Sequence, residues 1–263
     1  APSDGTLVFE DNTYYIDNNG EKEKLDIDNT YEFSYKIGED VYKGDYIATK
    51  SEKNVGPILN GLWITLKISF LAAILTFIIG VIVALMRLSS FQFLKDIATV
   101  YVTVIRGTPL LVQIFLFYFI VANIFELESF IAGVLSLGIF FGAYMAEILR
   151  GAIQSIDKGQ LEASKSLGMT NFQAMRYIIL PQAFKRALPT LVGEMIALIK
   201  DSSLVSVISI TDLTKVGKEI VANTFSAFET WIVIALVYLT ITSILSYIGH
   251  VLEKRLAAKG GMS

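Results

Sequence analysis

The sequence predicts an all-α membrane protein with five transmembrane helices, preceded by a small acidic, β-rich extracellular segment. The mean hydropathy is +0.56 and 53% of the residues are hydrophobic, which is too apolar for an ordinary soluble domain. Residues 1–56 carry 13 acidic and 6 basic side chains, whereas the remainder carries 12 acidic and 16 basic ones. These regions therefore have different surroundings.

Residues 1–56 are expected to form strands. Tyr31, Phe33 and Tyr35 alternate with polar residues, and residues 18–20, Asn-Asn-Gly, give a turn signal. About 55 residues is marginal for an independent core. Docking of a partner, a remnant of a fused binding domain and a simple cap all stay open as roles, and Ala1 fits either a processed terminus or a trimmed chain.

Apolar stretches from residue 57 onward define the membrane region, since a spanning helix needs about 20 such residues. The five expected spans are residues 58–86, 97–122, 130–149, 182–199 and 230–249, the fourth being shorter and broken by Pro189 and Gly193. The transmembrane domain is thus 57–256, with a cytoplasmic loop at 152–181 and a cytoplasmic tail at 257–263.

The loop between the third and fourth spans is polar and reads EASKSLGMTNFQAMRYIILP from Glu162 to Pro181. Gly168 is placed to end one short helix in the left-handed conformation, and Thr170 with Gln173 forms a capping box for a second. Pro181 lacks a backbone donor, so the second helix is expected to end there. The spacing predicts a compact helix-turn-helix.

This loop resembles the EAA signature of ABC importer permeases, with Ser164 replacing the usual second alanine. The resemblance implies the type I ABC importer permease fold and a coupling helix that sits in a groove of a separate ATPase subunit. The resemblance also implies that the residues of this chain that contact the ATPase are Glu162, Ala163, Ser164, Leu167 and Gly168. A DNA-binding helix-turn-helix is the alternative, and the flanking membrane spans argue against it and against nucleic acid as a partner.

Three more segments resemble permeases for polar amino acids: residues 106–113 (RGTPLLVQ), 142–151 (GAYMAEILRG) and 194–204 (EMIALIKDSSL). The resemblance implies substrate-binding roles for six side chains, which are Thr108, Gln113, Tyr144, Glu194, Asp201 and Ser202. For Glu147, an anchoring role through Arg150, three residues on, is the simpler interpretation.

Glu194 and Asp201 are seven residues apart, so on a helix they share a face about 10 Å apart. A carboxylate in hydrocarbon costs roughly 2.5–3.5 kcal/mol even on translocon scales, so each must face a cavity or a partner. The amino group of a substrate is one such partner, and two carboxylates would suit a cationic amino acid such as arginine, lysine or histidine. Pairing of Glu194 with Arg106 or Lys200 inside the bundle is the alternative.

The distribution of lysine and arginine beside the spans predicts the orientation. With the amino terminus outside and the carboxyl terminus cytoplasmic, eleven of these residues, Lys259 among them, lie on the cytoplasmic side, and only Lys200, Lys215 and Lys218 lie outside. The protein is expected in the plasma or inner membrane of the cell. This orientation then places the Glu162–Pro181 loop on the cytoplasmic side.

The resemblance implies a subunit that moves polar amino acids by alternating access and is not itself an enzyme. No GxxxxGK[ST] phosphate loop occurs in the chain, so ATP and Mg²⁺ are expected on the partner ATPase dimer. The other expected partners are a second permease subunit, identical or homologous, and an extracellular substrate-binding protein.

Two other classes of function remain as alternatives. A secondary transporter would need internal repeats, and none is convincing here. A membrane-embedded enzyme would need a nucleophile, base or metal constellation, and the chain has one histidine and no cysteine, so neither a disulfide nor a metal site is expected.

Overall fold

The computed structural model describes residues 1–10, 13–18, 20–25, 27, 31–50 and 56–258. The chain divides into two compact units, Ala1–Val55 and Gly56–Ser263. The turn residue Asn19, Lys259 and the rest of the expected tail from residue 259 onward lie outside the described residues.

The first unit is built from short antiparallel strands. They are β1 (Gly5–Glu10), β2 (Thr13–Asn18), β3 (Glu21–Leu25), β4 (Tyr31–Phe33), β5 (Asp40–Val41) and β6 (Ala48–Lys50). One sheet has the order β3-β2-β1-β5, and β4 pairs with β6 in a second. Apolar residues that are buried in alternation form its small core: Leu7, Ile16, Leu25, Val41 and Ile47.

The second unit is helical. Its helices are α1 (Pro57–Leu88), α2 (Gln92–Arg106), α3 (Leu110–Leu116), α4 (Ser129–Gln154), α5 (Lys158–Ser166), α6 (Asn171–Ala174), α7 (Leu180–Asp201), α8 (Leu213–Thr224) and α9 (Ala227–Ala258). Phe117–Ala122 and Met175–Ile179 are π-helical, and Ser202–Ile208 is a 3₁₀ helix.

Within the described residues, three helices are long and apolar enough to cross a membrane: α1, α4 and α9. The pair α2 and α3 would be a fourth span if the two count as one element, although they are bent by 108° at their junction. The five expected spans are therefore reduced to three or four by length and composition. Helix α7 has 22 residues and lies outside this set, since it carries charged side chains near both ends and Glu194 in its interior.

Small residues let α1 and α4 pack closely. A Cβ on Gly138 would lie 2.5 Å from a methyl group of Leu75, and one on Gly142 would lie 2.7 Å from Ile79. The two glycines are four residues apart and so share one face of α4. The close contact at this pair brings α4 directly against α1.

The second expected span, 97–122, is wrong as a single helix. Helix α2 begins earlier, at Gln92, and ends at Arg106, and α3 starts afresh at Leu110. Pro109 has no backbone donor and takes an extended conformation as the N-cap of α3, so the helical ladder cannot continue through it.

The fourth span is also different from the expectation, because Pro181 does not end a helix and Pro189 does not break one. Met175–Ile179 forms a π-turn in which the Leu180 amide bonds to the Met175 carbonyl, and this carries the chain into α7. The buried stripe of Ala183, Ala187 and Leu191 at spacings of four holds α7 together past Pro189, which is exposed. Tertiary packing overrides the local break.

Candidate functional site

The junction of α2 and α3 brings the first expected site residues together. Arg106 is the last residue of α2, and its guanidinium carbon lies 5.1 Å from the ring centroid of Tyr144 on α4. This distance is within the range of a cation–π contact. The cation of the RGTP motif is thus held against the aromatic residue of the GAYMAEILRG segment.

Thr108 and Gln113 lie at the same junction and contact each other. The Thr108 hydroxyl donates to the Val104 carbonyl at 3.0 Å and accepts a hydrogen bond from Gln113 Nε2 at 2.7 Å. Thr108 is exposed, whereas Gln113 is only 4% exposed. Gln113 therefore has its polar group turned into the protein.

Glu194 and Asp201 lie on one face of α7, two turns apart, and both are partly buried. In the described part of the chain, neither carboxylate has a hydrogen bond or an ion pair with another residue. The cationic groups that act on them electrostatically are Arg106 for Glu194 and Lys200 for Asp201. The expected alternative, a direct ion pair of Glu194 with Arg106 or Lys200, is absent among the residues described.

Ser202 differs from the other candidates because its hydroxyl is committed. The side chain is fully buried, donates to the Ile199 carbonyl at 2.7 Å and accepts from the Ser69 hydroxyl at 3.2 Å. This bond joins the end of α7 to α1. Ser202 thus fixes the place of the neighbouring Asp201 carboxylate.

The caps in the loop between α4 and α7 are those that its sequence predicts, although the chain does not stop at Pro181. Asp157 caps α5 by accepting from the Gly159 amide, Gly168 takes a left-handed φ of +76°, and Thr170 and Gln173 form a reciprocal capping box. Ser164 is buried and donates to the Gln160 carbonyl. A serine can stand where alanine is usual because this internal hydrogen bond satisfies its hydroxyl.

The outer surface of this loop is apolar in places. Leu167 is 82% exposed, and Glu162, Ala163 and Gly168 are exposed beside it. Phe172 and Tyr177, which the sequence reasoning did not single out, are 74% and 63% exposed. Their appearance in a polar stretch, at positions without a core-facing period, is the signal that could have revealed them.

A charged cluster at one end of the bundle was predicted only in part. Glu147 accepts from Arg150 three residues on, as expected, and also from Arg87 of α1 at 2.5 Å. Arg87 precedes Glu147 by 60 residues, so no local spacing could indicate the pair. Among the described residues, no group of three histidine, cysteine or acidic side chains could hold a metal ion.

The helical unit thus combines a bent pair of helices with a self-capped, partly apolar loop between two helices of the bundle. The chain belongs to the family described as the binding-protein-dependent transport system inner membrane component, whose model matches residues 62–258. Members of this family are permease components of ABC importers, and the fold of the helical unit is the type I permease fold.

Relatives of known name cover the same region. The glutamine transport system permease protein of Escherichia coli (strain K12) is 41% identical over 202 residues, which is 76% of this chain and 92% of that protein. The arginine transport system permease protein of Bacillus subtilis (strain 168) is 39% identical over 201 residues, with the same coverage. A solved structure described as an amino acid ABC transporter with histidines is 44% identical, with a TM-score of 0.71 over 76% of this chain and 94% of that one.

Proposed function

We propose that the chain is the membrane-spanning permease subunit of an ATP-driven importer of polar amino acids, acting by alternating access. Five segments cross the membrane in this proposal: α1, the bent pair α2 and α3, α4, α7 and α9. The amino terminus and residues 1–56 lie outside, and the carboxyl terminus is cytoplasmic. The excess of lysine and arginine on the loop side supports this orientation.

The observation that carries the substrate proposal is the pair of carboxylates on α7. Glu194 and Asp201 are partly buried and have no partner in the described chain. Partly buried charges are costly unless they are paired, and no described cation bonds directly to either carboxylate. The α-amino group of an amino acid, or the side chain of a cationic one, would complete it.

Residues from other elements would complete the substrate site around these carboxylates. Thr108 and Tyr144 flank Arg106, whose guanidinium is the natural partner for a substrate carboxylate because it offers a fork of donors. Ser202 and Gln113 belong to the same proposal as neighbours whose polar groups bind the chain itself. Amino acids carry both charges, and this arrangement offers a counterpart to each.

Coupling to ATP hydrolysis is proposed to run through α5. The exposed Glu162, Ala163, Leu167 and Gly168 would sit in a groove of the ATPase subunit, with buried Ser164 bracing the helix behind them. The π-turn at Met175–Ile179 links this loop to α7 without a break, so a displacement of the loop reaches the helix that carries Glu194. Two ATPase subunits with their ATP and Mg²⁺, a second permease and an extracellular binding protein complete the assembly.

Uptake by proteoliposomes tests this proposal. The complex with its ATPase subunits and binding protein would be assayed for ATP-driven entry of labelled amino acids, comparing wild type with Glu194→Gln. Glu219→Gln on α8 is the matched control, because Glu219 is exposed and lies 3.8 Å from Lys215. We expect Glu194→Gln to lower uptake about tenfold or more at unchanged basal ATPase activity, and equal uptake by the two variants would refute the assigned role of Glu194.

A further inference from the structure

At the junction between α2 and α3, the last backbone carbonyls of α2 need hydrogen-bond donors from outside the helix. At the end of a helix the last carbonyls have no amide partner within it, and buried carbonyls need partners from elsewhere. The Thr103 carbonyl accepts a hydrogen bond from the Gly107 amide at 3.0 Å, and the Val104 carbonyl accepts one from the Thr108 hydroxyl at 3.0 Å. The Ile105 carbonyl would pair with the amide of residue 109, but residue 109 is proline and has none.

Gln113 supplies the missing donor. Its Nε2 lies 2.8 Å from the Ile105 carbonyl oxygen, 2.7 Å from the Thr108 hydroxyl and 3.3 Å from the Thr108 carbonyl. The Thr108 proton is directed at Val104, so the hydroxyl oxygen is an acceptor here. Both hydrogens of the amide are therefore used within the junction, and the reverse amide orientation would aim an oxygen at acceptors only.

The oxygen of the Gln113 amide indicates that this side chain does more than fill space. Gln113 is 4% exposed, and its Oε1 is buried without a hydrogen-bond partner. An unsatisfied buried acceptor is unfavourable, and an apolar side chain of the same length would avoid it. The cost is tolerable only if the two donated hydrogen bonds are needed.

Contacts on both sides of the bend turn these hydrogen bonds into a constraint on its geometry. Ile114, next to Gln113 on α3, is fully buried and belongs to the same core cluster as Leu110 and Leu198. On the other side of the bend, Arg106 lies over the ring of Tyr144. The amide therefore ties a helix anchored in the core to the end of the helix that presents Arg106.

We infer that Gln113 is a positioning residue, which replaces the backbone donor missing at Pro109 and so holds the bend that places Arg106 and Thr108. This is a different role from direct contact with substrate. The bend is a feature of the chain alone, whereas its consequence for uptake rests on the proposed function. The two can be measured separately.

A distance measurement across the bend is the test. The sequence has no cysteine, so a cysteine introduced at each chosen position can carry a spin label. The positions are Val100 on α2 and Leu116 on α3, which are 62% and 51% exposed. The measurement uses the reconstituted complex without amino acid. Gln113→Met keeps the length and removes the donors, Gln113→Asn keeps the donors on a shorter stem, and Gln92→Met on exposed α2 surface is the matched control.

We expect Gln113→Met to broaden the distance distribution and shift it to longer values, because loss of the tie lets the bend open. Gln113→Asn should give an intermediate distribution, and Gln92→Met should match wild type. The maximal uptake rate of Gln113→Met should fall about tenfold with little change in KM.

An unchanged distance distribution in both Gln113 variants would overturn the inference, whatever happens to uptake. If KM alone rose while the bend stayed fixed, Gln113 would be a substrate contact. If the bend opened and uptake of amino acids were absent even in wild type, the positioning role would stand and the proposed function would fail. Should Gln113→Met not assemble, the Gln113→Asn distribution alone decides between these outcomes.

Discussion

The helical unit and the β unit are each stabilised by a different kind of internal packing. In the helical unit, α1 and α4 approach so closely that a Cβ on Gly138 would overlap Leu75, and Ser202 is hydrogen-bonded to Ser69 across helices. Among the described residues of the β unit, a small apolar core lies under strands such as β3, which is rich in exposed charged residues. All the motifs that indicate transport, and the family match over residues 62–258, fall in the helical unit.

Because of this difference, a substitution should have different effects on the two units. Close helix packing leaves no room for added atoms, so small changes there disturb the whole bundle. The buried core of the β unit consists of residues from Ala1–Val55, so a substitution there weakens that unit first.

Gly138→Leu should have the largest effect. A side chain at this position has to displace Leu75 from the α1–α4 contact, and overpacking of this kind costs about 3 kcal/mol or more in an ordered core. We expect loss of most of the folded protein, as measured by the monodisperse yield in size-exclusion chromatography. Gly151→Leu on the same helix is the control, since nothing lies within 4 Å of its Cβ, and equal yields of the two variants would contradict the packing account.

Leu7→Ala should weaken the β unit by about 2–5 kcal/mol, because it truncates a fully buried side chain. Hydrogen exchange in the intact chain should accelerate across β1 and β2 and stay unchanged in α4. Uptake should stay within about twofold of wild type, since a change of less than 0.5 kcal/mol at the transport site is expected. A large fall in uptake would break the comparison and give the β unit a part in transport.

Glu162→Arg should uncouple hydrolysis from transport. Glu162 is exposed on α5, so the reversed charge leaves the fold intact and changes only what the helix presents to its partner. We expect substrate-stimulated ATPase activity to fall about tenfold. Lys158→Glu, at the start of the same helix, reverses a charge outside the coupling set, and an identical loss in both variants would indicate a general charge effect.

Tyr35→Phe should have the smallest effect. The Tyr35 hydroxyl donates to the Asp45 carboxylate at 3.0 Å, and this hydrogen bond raises the pKa of the phenol above its usual value near 10. A raised pKa means that the stabilisation is complete below the ordinary tyrosine pKa and is lost as the pH rises through the folded one.

Tyrosine ring NMR of the intact chain can follow this titration, with Tyr35→Phe assigning the signal. A Tyr35 signal that titrates at or below the usual pKa would contradict the contact. Uptake should not change in the variant, because the hydrogen bond lies entirely within the β unit.

Local chemistry made some features predictable. The capping box at Thr170 and Gln173, the left-handed Gly168 and the Glu147–Arg150 pair all depend on residues within four positions of each other.

Three of the five prolines show that the effect of a proline on a helix depends on more than the local sequence. Pro109 lies at a bend of 108°, Pro181 follows a π-turn, and Pro189 lies inside an uninterrupted helix. Each removes the same backbone donor, and the outcome depends on what replaces it. Gln113 does so at the bend, a shifted hydrogen-bond register does so before Pro181, and packing of α7 carries the helix past Pro189. None of these replacements follows from the local pattern.

Contacts between distant residues were out of reach for the same reason. Arg87 reaches Glu147 and Ser69 reaches Ser202 only because α1 packs along the bundle. The unpartnered state of Glu194 and Asp201 likewise depends on what the fold leaves near them. The sequence predicted that the carboxylates share a face, and the structure was needed to find that neither forms a hydrogen bond or an ion pair among the described residues.

The measurement that tests the central claim most directly is ATPase activity of the reconstituted complex, screened against individual amino acids with the binding protein present. The account predicts stimulation by one class of polar amino acid in wild type and loss of that stimulation in Glu194→Gln, with basal hydrolysis retained in both. Hydrolysis that no amino acid stimulates would contradict the amino acid claim, while leaving the chain's membership of the permease family intact.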